Sequence, residues 1–555
     1  MSTDWIAVPR YKNYCLSETI MNTNKSRIRV TASIAATLIL GGLQCGLFAD
    51  PTLVTASGPT SPQANTGLKV VPAIAGDKDT YTLVPETSAT GVTYRLVPAK
   101  PGEQGQYKLV APEPAANGTS QLTPSESSDA AAPQDYYLGG QNNEIVQHVF
   151  PFHSPYAGTN SFISRNETEA TSTITLFFGH RFSPRLELYV NPEESRGHGL
   201  AQGYGLGSFT NGEVVRTPTL DQEFYLARYF FRYVVPTGSG SESVSQGEQQ
   251  LAGSRPIHRV VFSLGKLAVS DLFDLNRYAN STRTQFMSWG LINDAAYDYA
   301  ADTRGYSKGA AIEYIQPSYA IRFGAFQMPT IANYIKLSSD YRHNAGLNLE
   351  IEVHPRFMAN KAGPGIVRFM YMRNYAHMGE YREAVALAAA TGTTPDITAV
   401  EKVHAHKYGY YVNFEQPLAD DGNTGIFGRA GYNDGATEDF AYTEADRHVS
   451  FGGQVSGVRW RRQDDIFALA LMQNDLSAPH KEYLAAGGLG FLLGDGKLNY
   501  APERTLESYY NYQLSKHGAS TTLFVSPDFQ FIENPGYNKD RGPVSVPSLR
   551  FHAEF

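Results

Sequence analysis

Val546-Pro547-Ser548-Leu549-Arg550-Phe551-His552-Ala553-Glu554-Phe555, the C-terminal segment of the chain, has the pattern from which the fold can be predicted. Apolar and polar residues alternate strictly along it. The apolar face consists of Leu549, Phe551, Ala553 and Phe555. The polar face consists of Ser548, Arg550, His552 and Glu554. A period of two, with one apolar and one charged face, predicts a β-strand that lies between an apolar phase and water.

The same alternation recurs from about residue 141 to the C terminus. We predict strands at 143–149, 171–181, 184–191, 222–234, 258–267, 305–316, 317–326, 346–354, 363–374, 404–416, 422–433, 447–460, 464–473, 504–515, 519–531 and 545–555. About 16 strands is an even number, as single-chain bacterial barrels require, and the connections alternate between short and long. The sequence therefore predicts an all-β fold: a transmembrane antiparallel β-barrel whose lumen is an aqueous channel. A C-terminal aromatic such as Phe555 is typical of such barrels, and we expect it to be read by the barrel assembly machinery.

One connection does not fit the alternation of lengths. Residues 235–257 form a long segment where a short turn is expected. Either a strand is missed there, or the turn carries a Ser/Gly-rich insertion.

The composition is consistent with a barrel in the membrane. Charged residues are 18% of the chain, and aromatic residues are 12%, including 35 tyrosines. Few charges and many tyrosines suit a surface that faces lipid between two aromatic girdles. Composition alone would also fit a tyrosine-rich secreted β-sandwich, although such polar faces seldom carry charges on so many strands. The net charge of -8 argues against nucleic acid as a partner.

The N-terminal region carries an export signal. Lys25, Arg27 and Arg29 precede the apolar segment 32–43, and a cleavage site is expected before Asp50. We therefore predict a signal peptide region at 1–49. Since Met21 lies where such a signal should begin, we predict it as the true start.

Residues 50–134 are rich in Pro, Thr, Ala and Ser and repeat a Leu-Val or Val-Val pair every 13 residues, as at Val71, Val84, Val97 and Val110. We interpret this low-complexity segment as a periplasmic linker before the barrel at 135–555. The alternative is a small module that grips the cell wall or a neighbouring subunit.

Charged residues of both signs are predicted on the inner face of the strands. The predicted pore-lining residues are Arg185, Glu313, Arg322, Glu350, Glu352, Arg368, Glu415 and Arg429. A lumen with balanced signs suits polar, uncharged solutes, whereas one dominant sign would select ions. The alternative is a general, non-selective pore in which the charges only keep the lumen hydrated.

The long connection 268–304 is the segment that most favours solute binding, because it mixes aromatic residues with Asp, Asn and Arg. Sugars bind to such surfaces: aromatic rings cover C–H patches, while carboxylates and guanidiniums bind hydroxyls. The predicted constriction residues are Asp274, Arg277, Trp289, Asp298, Asp302 and Arg304 from this loop, with Glu187 and Arg228 from the wall. The alternative is a loop that packs on the barrel mouth and never touches solute.

The sequence contains no convincing nucleophile elbow, zinc-protease or phosphate-binding motif, so we predict no enzyme activity, catalytic residue, metal or cofactor. His404 and His406 lack a completing ligand and are interpreted as structural.

Several ordered segments resemble the carbohydrate-selective porin family of Gram-negative outer membranes. They are 262–266, 271–278, 283–287, 299–306, 483–496, 500–504, 507–510 and 528–543. The resemblance spans roughly 141–555. It implies an integral outer-membrane barrel of 16 strands that admits mono- and small oligosaccharides by facilitated diffusion, with sugars and outer-membrane lipid as partners. In such porins a loop at the position of 268–304 commonly folds into the lumen. A homotrimer and a monomer both remain open, as do a non-selective pore and a barrel-anchored adhesin or tether.

Overall fold

The computed structural model describes residues 134–214, 223–517 and 521–555. The predicted signal region and the 13-residue repeats fall within 1–133 and so lie outside the described residues.

The described chain is built from strands. They are β1 (Tyr136–Val149), β2 (Glu167–Ser183), β3 (Leu186–Gly197), β4 (Tyr225–Pro236), β5 (Ser241–Val244), β6 (Gly253–Pro256), β7 (Arg259–Leu267), β8 (Ser307–Gln316), β9 (Tyr319–Gln327), β10 (Ala345–Val353), β11 (Ile366–Met378), β12 (Lys402–Ala419), β13 (Thr424–Asn433), β14 (Arg447–Ser456), β15 (Ile466–Asp475), β16 (Glu503–His517), β17 (Thr521–Glu533) and β18 (Val544–Glu554).

Sixteen of these strands form one closed antiparallel barrel. Each strand pairs with its neighbours in sequence, and the barrel closes where β1 pairs with β18, from Gln141 opposite Glu554 to Gln147 opposite Ser548. Each predicted strand corresponds to one barrel strand, so the predicted fold is confirmed. The remaining pair, β5 and β6, forms a separate hairpin within the β4–β7 connection. That connection therefore carries an insertion and not a missed barrel strand.

The faces of the barrel are inverted relative to a water-soluble protein. Outward-facing apolar side chains are exposed, such as Phe369, which is 51% exposed. Inward-facing charged side chains are buried, such as Glu350, which is 0% exposed. Lipid covers the first set, and the second set must find partners inside the lumen.

The connections differ at the two ends of the barrel. At one end, here called the turn end, lie both chain ends of the barrel domain and short turns such as 184–185 and 317–318. At the other, the loop end, lie long loops such as 268–306 and 476–502.

Helices occur only in connections of the described chain and are short. They are α1 (Trp289–Ile292), α2 (Tyr381–Thr391) and α3 (Ala478–Ala485). Single 3₁₀ turns lie at Leu200–Gly203, Val269–Asp271, Arg356–Met358, Ile397–Val400, Asp420–Gly422, Gly457–Trp460 and Pro535–Tyr537. The Ser477 side chain caps α3 by accepting a hydrogen bond from the backbone N–H of His480. Among the described residues, no helix has the length and apolar character needed to cross a membrane.

Candidate solute-binding site

The β7–β8 loop, residues 268–306, folds into the lumen and crosses to the opposite wall. The hydroxyl of Tyr278 donates to the carbonyl of Gly422, in the β12–β13 turn, at 3.0 Å. The backbone N–H of Ser288 donates to the carboxylate of Glu507 on β16 at 3.0 Å. Arg550 on β18 donates to the carbonyl of Thr282 at 2.7 Å. The loop therefore occupies much of the β8–β18 side of the lumen.

Arg429 on β13 is the main anchor of this loop. Its guanidinium forms an ion pair with Asp274 at 3.0 Å. It also donates hydrogen bonds to four loop carbonyls, those of Asp274, Ala279, Leu291 and Ile292, at 2.7–3.2 Å. A loop inside a barrel brings backbone carbonyls away from bulk water, and these need donors. Arg429 supplies several of those donors from one side chain.

A ladder of ion pairs runs across the inner wall from β8 to β12. Arg322 pairs with Glu313, Glu350 and Glu352, each at 2.9 Å. Arg368 then pairs with Glu352 at 2.9 Å and with Glu415 at 3.2 Å.

The loop binds to this ladder. The backbone N–H groups of Asp274 and Arg277 donate to Glu350 and Glu415, at 2.9 and 2.8 Å. The ladder lies on the inner face, as predicted from the sequence, but the loop covers it.

Three other predicted constriction residues fix the loop-end portion of the same loop. Asp298 pairs with the buried Lys407 at 3.2 Å and accepts backbone hydrogen bonds from the 434–446 loop. Asp302 pairs with Lys266 at 3.2 Å, and burial raises the pKa of its carboxyl. The guanidinium of Arg304 lies 3.8 Å from the ring centroid of Tyr225. These contacts position the loop.

Three further predicted residues lie near the turn end. Glu187 pairs with Arg181 at 3.0 Å. Arg185, predicted as pore-lining, lies in the exposed turn between β2 and β3, because that turn occupies two residues that the sequence assigned to a strand. The side chain of Arg277 is 43% exposed, with Nε 4.0 Å from Glu415.

Arg228 and Trp289 lie elsewhere, at a cavity of about 380 Å³ between the loop and the β1–β4 side of the wall. This volume is within the range of about 300–1,000 Å³ typical of small-molecule sites. The charged and aromatic lining residues are Glu213, Arg228, Glu248, Asp271, Arg283, Trp289, Tyr299 and Glu554.

The arginines of the cavity are held by carboxylates. Arg228 binds Asp271 through two hydrogen bonds of 2.7 Å each, in a bidentate arrangement. Arg283 binds Glu193 at 2.8 Å and Glu213 at 3.2 Å. Paired in this way, the guanidiniums are fixed in position.

The cavity also presents neutral polar groups. Asn280 and Asn293 line it, and their side-chain oxygens are buried without a hydrogen-bond partner among the described residues. The ring of Trp289 lies 6.5 Å from that of Tyr299, at an interplanar angle of 23°. Amide groups beside aromatic rings are side chains of the kinds that bind a polyhydroxylated solute.

Sequence reasoning missed Glu193, Glu213, Asp271 and Arg283 as site residues. Two signals were available. Asp271 and Arg283 lie in segments that carry the family resemblance, 271–278 and 283–287. Glu193 was lost because the predicted strand ended at 191, before Pro192, whereas β3 continues to Gly197.

One group in the described chain has the spacing of metal ligands: Asp439, Asp446 and His480, all buried at the loop end. Nδ1 of His480 lies 3.1 Å from Asp446 and 4.0 Å from Asp439. Lys407 also pairs with Asp439, so a cation already compensates this cluster. We interpret it as an ion-pair network that joins the 434–446 loop to α3.

The chain matches the family model described as carbohydrate-selective porin, OprB family, over residues 166–555. No curated protein matches the chain.

The chain is similar to several solved outer-membrane channels. OprB of Pseudomonas putida is 16% identical with a TM-score of 0.56, over 76% of this chain and 94% of that chain. A BenF-like porin of Pseudomonas fluorescens Pf-5 is 8% identical with a TM-score of 0.40, over 76% of this chain and 98% of that chain. The channel DcaP of Acinetobacter baumannii is 10% identical with a TM-score of 0.39, over 76% of this chain and 96% of that chain. The likeness to the Pseudomonas putida protein agrees with the closed barrel seen here.

Proposed function

Because this chain belongs to the carbohydrate-selective porin, OprB family, we propose that it admits mono- and small oligosaccharides by facilitated diffusion through the passage beside the 268–306 loop. The chain is an integral protein of the Gram-negative outer membrane. Its long loops then face the exterior and its turn end faces the periplasm, as in other bacterial barrels.

The observation that carries this proposal is the cavity between the loop and the β1–β4 wall. It is lined by fixed guanidiniums, carboxylates, amide side chains and an indole ring. A sugar hydroxyl both donates and accepts, so it can bind to either kind of charged group without carrying a charge itself. Trp289 borders the cavity and is 5% exposed, and this exposed part of the indole is apolar surface that can contact the C–H face of a pyranose.

The charges of the cavity favour neutral solutes over anions. Four carboxylates border it, those of Glu213, Glu248, Asp271 and Glu554, against the two guanidiniums of Arg228 and Arg283. An excess of negative charge at a constriction repels anions. Neutral sugars meet no such barrier, and each hydrogen bond is weak enough for the solute to leave again.

The test is solute-dependent swelling of liposomes that contain the purified barrel. Glucose, maltose, a neutral amino acid of similar size and the gluconate anion are compared at equal osmolarity. We expect faster swelling with glucose and maltose than with the amino acid, and the slowest with gluconate. Equal rates for sugar and amino acid would indicate a general pore. No swelling at all would favour the adhesin or tether alternative.

A further inference from the structure

The β4–β7 connection, residues 237–258, enters the lumen from the turn end. The β2–β3 and β8–β9 turns at this end need only 184–185 and 317–318. Leu251 is 1% exposed and belongs to the same apolar cluster as Tyr189 and Phe230, which face inward from β3 and β4. The insertion is thus seated against the inner wall.

Polar contacts fix the same segment. The guanidinium of Arg232 on β4 donates to the carbonyl of Gln249 at 2.7 Å. Arg181 on β2 donates to the carbonyl of Ala252 at 3.3 Å. The hydroxyl of Tyr189 accepts from the backbone N–H of Leu251 at 3.3 Å. Backbone and apolar contacts together hold residues 249–252 at the bottom of the cavity.

Two side chains of this segment line the cavity and have no partner among the described residues. Glu248 is exposed to the cavity and forms no hydrogen bond or ion pair there. Nε2 of Gln249 is buried and likewise has no hydrogen-bond partner. Enclosure by the barrel raises the pKa of Glu248, while the nearby guanidiniums of Arg283 and Arg228 act in the opposite direction.

The two arginines of the cavity, unlike Glu248, are paired with carboxylates. Arg228 is bound by Asp271, and Arg283 by Glu193 and Glu213. Nε2 of Gln249 is a buried donor without a partner, which is costly unless water or a ligand binds it. Glu248, next to it in sequence, is an exposed acceptor on the same cavity.

We propose that residues 246–252 form a second, periplasmic-side constriction, and that Glu248 and Gln249 bind the sugar from below. The carboxylate of Glu248 accepts from hydroxyls, and the amide of Gln249 donates to an adjacent oxygen. Arg228, Arg283 and Trp289 bound the same cavity on its other sides. The solute is then enclosed by two elements inserted from opposite ends of the barrel. This inference rests on the proposed function, since it assigns part of the sugar site.

The experiment measures block of ion current by glucose, for the full chain in planar bilayers. Loss of a hydrogen bond to a charged group predicts about tenfold weaker glucose binding in Glu248→Ala. Gln249→Ala is expected to weaken it less, because a neutral donor contributes less. The matched control is Glu242→Ala in the same connection: Glu242 pairs with Arg255 and Arg259 and does not line the cavity.

A second variant tests the constriction itself. Leu251→Ser introduces a hydroxyl into the apolar cluster with Tyr189 and Phe230 and is expected to release the segment. Single-channel conductance should then rise, and glucose block should weaken. Unchanged conductance and block in a folded Leu251→Ser barrel would overturn the inner constriction.

The outcomes separate this inference from the proposed function. Absence of glucose block in the wild-type chain, with equal swelling for sugar and amino acid, would overturn both. Wild-type block that Glu248→Ala and Glu242→Ala alter equally would overturn only the assignment of Glu248. A weaker block in Glu248→Ala alone supports it.

Discussion

The β8–β13 wall and the β1–β4 wall of this barrel carry similar charged residues but use them differently. On the first, Arg322 and Arg368 bind carboxylates of the wall, Arg429 binds Asp274 of the 268–306 loop, and all three are buried. On the second, Arg228 borders an open cavity. A side chain that faces the lumen therefore need not face the solute. Whether such a side chain can contact the solute depends on where the inserted loop lies.

The difference follows from the needs of buried backbone. Where a loop in the lumen packs against the wall, its backbone loses contact with water. Its carbonyls and N–H groups on that side must therefore form hydrogen bonds with the wall. Arg429 provides donors, and Glu350, Glu415 and Glu507 provide acceptors. On the opposite wall, Arg228 and Glu193 also bind side chains of the loop, those of Asp271 and Arg283. A cavity lies beside these pairs, however, and its polar lining is available to solute.

Removing the loop's main anchor should have the largest effect, because it would free the loop from the β8–β13 wall. In Arg429→Met, the buried carboxylate of Asp274 loses its cation and four loop carbonyls lose a donor. Breaking a buried pair in this way typically costs about 3–5 kcal/mol. We expect the loop to detach, single-channel conductance to rise and the preference for glucose over an amino acid to fall.

The matched control is Arg504→Met. Arg504 faces outward, with a side chain that is 56% exposed and 3.7 Å from Glu533. The conductance and swelling rates of the Arg504→Met variant should equal those of the wild type. Wild-type conductance in a folded Arg429→Met barrel would mean that the loop is held by other contacts.

On the cavity side, Arg228→Gln tests whether the β1–β4 wall binds the solute. Gln keeps a donor but loses the charge and the bidentate contact with Asp271. We expect glucose block of ion current to weaken by about tenfold, since a charge-assisted hydrogen bond is lost, with conductance retained. A rise in conductance without loss of glucose block would show that Arg228 supports the loop and does not bind the solute.

Much of the fold could be predicted because alternation is a local property. The two faces of a strand can be assigned from a few consecutive residues, such as Leu349, Glu350, Ile351 and Glu352. The structure places these residues on the faces that their alternation predicts. The end of β3 was harder. Pro192 indicates the end of a strand, but the register shifts between Asn191 and Pro192, and the strand continues.

The site could be predicted only in part, because it depends on contacts between distant residues. The sequence marks 268–304 as a binding segment, and Trp289 lies at the cavity. It cannot tell that Asp274 would meet Arg429, or that Arg283 would meet Glu193. Those pairs depend on the path of the loop through the lumen, which no local pattern encodes.

A smaller effect is expected of pH on the stability of the 434–446 loop, at the loop end. Burial raises the pKa values of Glu438 and Glu444, in the 434–446 loop, to about 8. The folded loop therefore binds more protons than the unfolded chain between pH 4.5 and about 8, and its free energy of unfolding should fall as pH rises through this window. Backbone amides of 434–446 should exchange hydrogen faster at high pH, after correction for intrinsic exchange.

Glu444→Gln is the control for that effect. Gln keeps an oxygen that can accept from the backbone N–H groups of Leu492 and Leu493, but it does not titrate. The pH dependence of exchange should shrink in this variant. A pH dependence as large as in the wild type would place its origin in another group.

The smallest effect is expected for Arg277→Ala, at a residue that the sequence assigned to the constriction. Its guanidinium lies 4.0 Å from Glu415, which Arg368 already binds at 3.2 Å, and its side chain is 43% exposed. A half-exposed pair of this kind contributes about 0–1 kcal/mol, and the backbone N–H that binds Glu415 remains in the variant. Glucose block and swelling rates should therefore match those of the wild type. If block weakened as much as in Arg228→Gln, the solute would also contact the turn end beneath β12 and β13, and contact with the sugar would not be confined to the β1–β4 wall.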